Sequence, residues 1–148
     1  MLNITVKSFN QLTINELYEV LQLRSEVFVV EQDCVYQDID GKDQNALHVL
    51  GIKDNKIVAY TRLFKPGDYF NLASIGRVVV KENQRMHKYG YDIMEASIKA
   101  IKTNYNTTDI KISAQCYLKR FYNNLNFFEV GEQYLEDGIP HIAMLYKN

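Results

Sequence analysis

Apolar and polar positions alternate from Ile4 to Phe9, which predicts a short opening strand. The period then changes. Leu17, Val20, Leu21, Arg24, Val27 and Phe28 follow helical spacing and predict an amphipathic helix to about Val30. Thr13 and Glu16 mark its start, spaced so that hydroxyl and carboxylate each satisfy a free N–H. Glu31 to Asn45 is polar and acidic, with Asp38, Asp40, Gly41 and Asp43, and reads as a loop. Ala46 to Lys53 and Lys56 to Phe64 read as strands joined by a hairpin turn at Asp54–Asn55. Beyond a turn at Lys65–Pro66–Gly67–Asp68, Leu72 to Val80 is the next strand, followed by a loop from Lys81 to Lys88. Gly90, Met94, Ile98 and Ile101 form the stripe of a second helix, ending near Asn104–Tyr105–Asn106. Asp109 to Gln115 alternates again. Leu118, Phe121, Tyr122 and Leu125 share one face of a short helix, and Asn126 suits a left-handed stop. Phe127 to Gly131 and His141 to Tyr146 close the chain as strands.

The order β-α-β-β-β-α-β-α-β-β predicts a mixed α/β fold, a mostly antiparallel twisted sheet with flanking helices. The unit from Leu72 to Gln115 should be a right-handed parallel crossover. At 148 residues the chain reads as one domain, 1–148, long enough to bury a core. A net charge of −1 gives no general reason to expect nucleic acid or an anionic membrane as partner. Cys34 and Cys116 make neither a disulfide framework nor a metal-ligand spacing. With no run of transmembrane length and no signal pattern, a cytoplasmic setting is expected.

Local charge changes the picture at one place. The β-branched stretch Ile75–Gly76–Arg77–Val78–Val79–Val80 runs into a basic loop and then a helix opening near Tyr89–Gly90. Such a junction aims free N–H groups and the positive helix end at one spot, which suits a phosphate. Arg85, His87 and Lys88 add donors there. The plain alternative is a solvated turn. Tyr122 likewise has a plain reading, an aromatic packed in the core.

Arg85–Met86–His87–Lys88–Tyr89–Gly90, with Phe121–Tyr122 before Asn126–Phe127, resembles the GNAT superfamily of N-acetyltransferases. That family leads its pyrophosphate loop with arginine or glutamine and carries a Phe-Tyr pair on a later helix. Met86 and Lys88 stand where glycines are commonest, a departure tolerable where φ stays negative. Three longer stretches resemble the ElaA-like branch: Leu23–Gln32, Tyr36–Gly41 and Glu136–His141.

The resemblance implies a GNAT-like acyl-CoA N-acyltransferase fold and acetyl transfer from acetyl-CoA to a primary amine by direct attack, without a metal. The acceptor would be a small molecule, a polyamine or a protein amine. Arg77, Val78, Val79 and Val80 would pair with the pantetheine arm, the Val78 N–H would polarise the acetyl carbonyl, and Arg85 to Gly90 would hold the pyrophosphate. Tyr122 would protonate the departing sulfur, its hydroxyl being protonated at neutral pH. Glu31, His141 or a relayed water would be the base. Asp38, Asp40, Glu136 and Asp137 could line an acceptor pocket and attract a cation. Arg24, on the apolar stripe, calls for a carboxylate from the acidic loop. Arg77 is expected to face the site, and Arg62 to be solvated. His48 reads as a sheet residue. Cys116 follows the strand flanking the donor, with no histidine beside it in sequence to activate it, and reads as an inert thiol. Two other readings share the fold: an acyl-homoserine-lactone-synthase-like acyltransferase, and a non-catalytic coenzyme A-binding regulator. Exposed sheet edges are compatible with a homodimer.

Overall fold

A computed structural model describes all residues, 1–148. The strands are β1 (Asn3–Ser8), β2 (Leu47–Lys53), β3 (Lys56–Phe64), β4 (Ala73–Val80), β5 (Ile110–Gln115), β6 (Phe127–Glu136) and β7 (Ile139–Tyr146). The helices are α1 (Ile14–Arg24), α2 (Tyr89–Tyr105) and α3 (Lys119–Asn123). One seven-stranded sheet runs in the order β1-β2-β3-β4-β5-β7-β6. All neighbours are antiparallel except β4 and β5. The predicted element order and mixed sheet are therefore present.

The β4–β5 joint organises everything else. These strands pair only at Ala73–Ile110 and Ser74–Lys111, and then separate. Beyond Ser74, β4 is held on its other side by β3, and β5 pairs with β7 as far as Gln115–His141. A wedge thus opens inside the sheet, with an unpaired inner edge on each side.

Two apolar layers sandwich the sheet. Ile93, Met94 and Ile101 of α2 pack with Leu63, Ile75, Ile112 and Met144 in the larger core. Val20 and Leu23 of α1, with Val27 and Phe28, cover Leu50, Tyr60 and Val79 on the opposite face. The interior strand β3 is buried on both faces from Ile57 onward, which accounts for its apolar stretches Ile57–Tyr60 and Leu63–Phe64.

Local signals account for the element ends. Thr13 and Glu16 form the expected reciprocal cap of α1, at 2.9 and 3.0 Å. Asn106 and Asn126 hold left-handed backbone, φ 54° and 69°, where α2 and α3 finish. Three expectations change. The first helix does not continue regularly to Val30. Ser25–Glu31 widens into a π-helical stretch, closed by bonds from the Gln32 N–H to the Val27 carbonyl and from the Cys34 N–H to the Val29 carbonyl. The segment after β4 is not an open loop, because Glu82–His87 winds as a 3-10 helix. Finally, β6 runs on to Glu136, beyond the predicted Gly131. Its outer half is a solvent-exposed edge with a bulge between Val130 and Tyr134, so no alternation marks it.

Candidate active site

The wedge between β4 and β5 leads into a cavity of about 480 Å³. Its walls come from the inner edge of β4, the start of α2, the β5–α3 connection and the β6–β7 hairpin.

At one end lies the junction singled out by sequence. No side chain caps the N-terminus of α2, which leaves its first N–H groups to an outside acceptor. Lys88, just before α2, has φ 61°. The condition for a cost-free non-glycine residue there, a negative φ, is therefore not met. The turn needs left-handed backbone, and Lys88 supplies it under strain. Gly90 faces Phe121, and a Cβ at this position would come within 3.2 Å of that ring. Arg85 donates from Nε to the Val80 carbonyl at 3.0 Å. Its two terminal nitrogens grip the Glu31 carboxylate at 2.6 and 2.8 Å.

That ion pair changes the reading of Glu31. The Arg85 hydrogen bonds hold its carboxyl below the usual carboxylate range, which weakens it as a base. Met86 and His87 point to solvent, and Tyr89 packs beneath the Lys53 ammonium. None of these three lines the cavity, whereas Arg77, Val78, Val79, Val80, Arg85, Lys88, Gly90 and Tyr122 do.

Tyr122 is buried between the rings of Phe121 and Phe127. No protein group hydrogen-bonds its hydroxyl, and burial pushes its pKa up, so it is a proton donor at neutral pH. Cys116 lies outside the cavity lining, packed against the core, while Cys34 is on the wall.

At the far end, His141 is nearly buried, and its Nδ1 lies 2.7 Å from the Ile139 carbonyl. A carbonyl only accepts, so Nδ1 carries the proton. In the neutral ring Nε2 then holds a lone pair, 3.4 Å from the Glu136 carboxylate. Glu136 also accepts from the Ser113 hydroxyl, which in turn bonds to Tyr134. Phe64, Tyr69 and Phe70 complete this end as an aromatic wall. Sequence reasoning missed that wall and Ser113. The adjacent Tyr69–Phe70 pair just after a Pro-Gly turn was the available signal.

The expectation for the acidic loop needs correction. Asp38 and Asp40 do not line the cavity. They belong, with Asp43, to a network around three arginines. Arg24, fully buried, bonds Asp38 at 2.9 Å and Asp43 at 2.8 Å. Arg62 is not solvated. It is 1% exposed and bonds Asp40 and Asp43 at 2.8 to 2.9 Å. Its Nε has no hydrogen-bond partner and its guanidinium lies over the Phe64 ring. Arg77 stacks on Tyr36 and donates to the Asp38 carbonyl at 3.0 Å. Its Nε lies 2.8 Å from Asp38 Oδ1, at an angle that makes an ion pair rather than a hydrogen bond. Burial would raise the Asp40 carboxyl, but the Arg62 fork outweighs it and brings it down to about 2. His48 donates from Nε2 to the Asp43 carbonyl and accepts from the Tyr60 hydroxyl, and burial keeps it neutral. The network pins the loop after α1 against β3 and β4. It therefore shapes the cavity rather than attracting a ligand.

Glu31 is the first residue of a strap over the wedge. Gln32 exchanges amide hydrogen bonds with Gln115 at 3.3 Å, and Cys34 reaches the Asp137 carbonyl at 3.3 Å. No group of three or more His, Cys, Asp or Glu side chains is arranged to hold a metal ion. No helix is long and apolar enough to cross a membrane.

Comparison with known proteins agrees with this geometry. The sequence profile of the acetyltransferase (GNAT) domain matches residues 10–147. Protein ElaA of Escherichia coli is 42% identical over 137 residues, covering 91% of this chain and 90% of ElaA. The crystal structure of an acyl-CoA N-acyltransferase from Pseudomonas aeruginosa superposes with a TM-score of 0.93 at 40% identity, covering 99% and 100% of the two chains. That of Escherichia coli ElaA gives 0.92 at 39%, with the same coverage. An acyl-homoserine-lactone synthase shares the fold alone, with a TM-score of 0.80 at 12% identity. The wedge in the sheet, the uncapped helix beside it and the Phe-Tyr pair thus sit in a chain that belongs to the GNAT acyltransferase family, in its ElaA-like branch.

Proposed function

We propose that this protein transfers the acetyl group of acetyl-CoA to a primary amine by direct attack. One observation carries the reading. The open inner edge of β4, the uncapped start of α2 beside Arg85 and Lys88, and the buried Tyr122 all face one cavity. Acetyl-CoA supplies the acetyl as an activated thioester. The inner edge of β4 from Arg77 to Val80 takes the pantetheine arm as an added strand. The Val78 N–H polarises the thioester carbonyl. The N–H groups at the start of α2, with Arg85 and Lys88, hold the pyrophosphate. Tyr122 donates its proton to the sulfur. His141, with its lone pair on Nε2, is the favoured base toward the incoming amine, and Glu136 and Asp137 at the same end favour a cationic acceptor.

Calorimetry with acetyl-CoA tests the donor site. The native protein should bind, Arg85→Ala should bind about tenfold more weakly, and Tyr122→Phe should bind as the native does. In a panel of amines followed by coenzyme A release, Tyr122→Phe should slow turnover by about 10²-fold or more. Absence of native binding would overturn the reading.

A further inference from the structure

Arg85 presents two edges that can hold an anion with two parallel hydrogen bonds. The end-on edge is fully engaged by Glu31. The side edge is half-engaged, because Nε donates to the Val80 carbonyl. A phosphate therefore cannot take either edge of Arg85 with two parallel bonds while Glu31 and the Val80 carbonyl stay in place. Glu31 closes the π-helical stretch, and beyond the backbone bonds that tie the strap to that stretch, its other side-chain contacts, at Gln115 and Asp137, are long. Its one short side-chain anchor is Arg85, the arginine that the donor needs.

We propose that Glu31 is a latch on the donor site, holding the strap across the wedge and giving up Arg85 to the pyrophosphate of coenzyme A. The inference rests on the donor reading above and assigns Glu31 a role in donor selection instead of proton transfer. A ligand gains Arg85 only by displacing a carboxylate of like charge, so weakly charged anions compete poorly. The latch is weak enough to yield. Both partners are partly exposed, 42% for Arg85 and 31% for Glu31. Exposed pairs of this kind change an equilibrium by at most about fivefold.

The test is a double-mutant cycle read by calorimetry with coenzyme A as ligand, and circular dichroism confirms the fold of each variant. Glu31→Gln should bind coenzyme A about three- to fivefold more tightly than the native protein. A residue with a merely structural role would leave binding unchanged or weaker. Arg85→Gln removes the ion pair, and in that background Glu31→Gln should give no gain. A gain that persists there would show diffuse charge repulsion and overturn the latch, as would unchanged or weaker binding by Glu31→Gln alone. Failure of the native protein and both variants to bind coenzyme A would instead remove the donor reading, and the latch with it.

Discussion

Lys88 shows how much a single backbone angle decides. It stands at φ 61°, with its chain turning into α2 and no side chain capping the helix. An L-residue held there costs about 1–2 kcal/mol, which glycine would avoid, at the expense of some unfolded-chain entropy. Lys88→Gly should therefore raise stability by about 0.5–1 kcal/mol, visible as a higher urea midpoint with unchanged slope. A lower midpoint would mean that the lysine side chain, rather than the backbone, holds this turn. The angle was not legible in the sequence. Lysine carries no preference for left-handed backbone, whereas Asn126, an asparagine, suits it and holds the left-handed φ expected of it. Tyr122 was legible only as part of a Phe-Tyr pair, since helical spacing alone fits a core ring equally well. Arg62 misled because an arginine on a strand looks solvated until its carboxylates arrive from a loop 19 and 22 positions away.

At the scale of elements, strong periodicity survived folding and weak periodicity did not. The α2 stripe and the alternation of β5 gave their elements correctly, because each buries one face against the core. The outer half of β6 escaped notice because both its faces meet solvent. The π-helical stretch escaped because Val27 and Phe28 sit on the buried face under either winding. The acidic loop is the element whose role changed most, from acceptor lure to structural clasp. Asp43 is its keystone, since one carboxylate oxygen serves both Arg24 and Arg62 and its carbonyl serves His48. Asp43→Ala should cost about 3–5 kcal/mol in urea unfolding, because it leaves two buried guanidinium groups short of countercharge. A loss below about 1 kcal/mol would mean that water or a rearranged Asp38 replaces it.

For the whole molecule, the clasp sets a limit on the acid side. Asp40 and Asp43 are both held below the ordinary carboxylate range, Asp40 at about 2. Unfolded aspartates titrate near pH ~3.9. The stabilisation is therefore complete above about pH 4 and is lost as pH falls from there toward about 2. Urea midpoints taken between pH 5 and pH 2.5 should drop across that window, and Asp40→Asn should flatten part of the slope. Equal slopes for both proteins would show that other carboxylates govern acid unfolding. The joint in the sheet was the least legible feature at this scale, because periodicity reports which face a strand buries and says nothing about where two strands part. It also bears on how the chain assembles. β2, β3 and β4 pair as successive neighbours over short stretches of chain and β5, β6 and β7 pair among themselves, whereas β1 reaches β2 only across α1 and the acidic loop. The two halves meet in the sheet through two residue pairs, across a crossover that contains the whole of α2. Of the two long closures, β1 onto β2 and β4 onto β5, the second returns the fewest strand pairings, so the expected slow step of folding is the docking of the two half-sheets on α2.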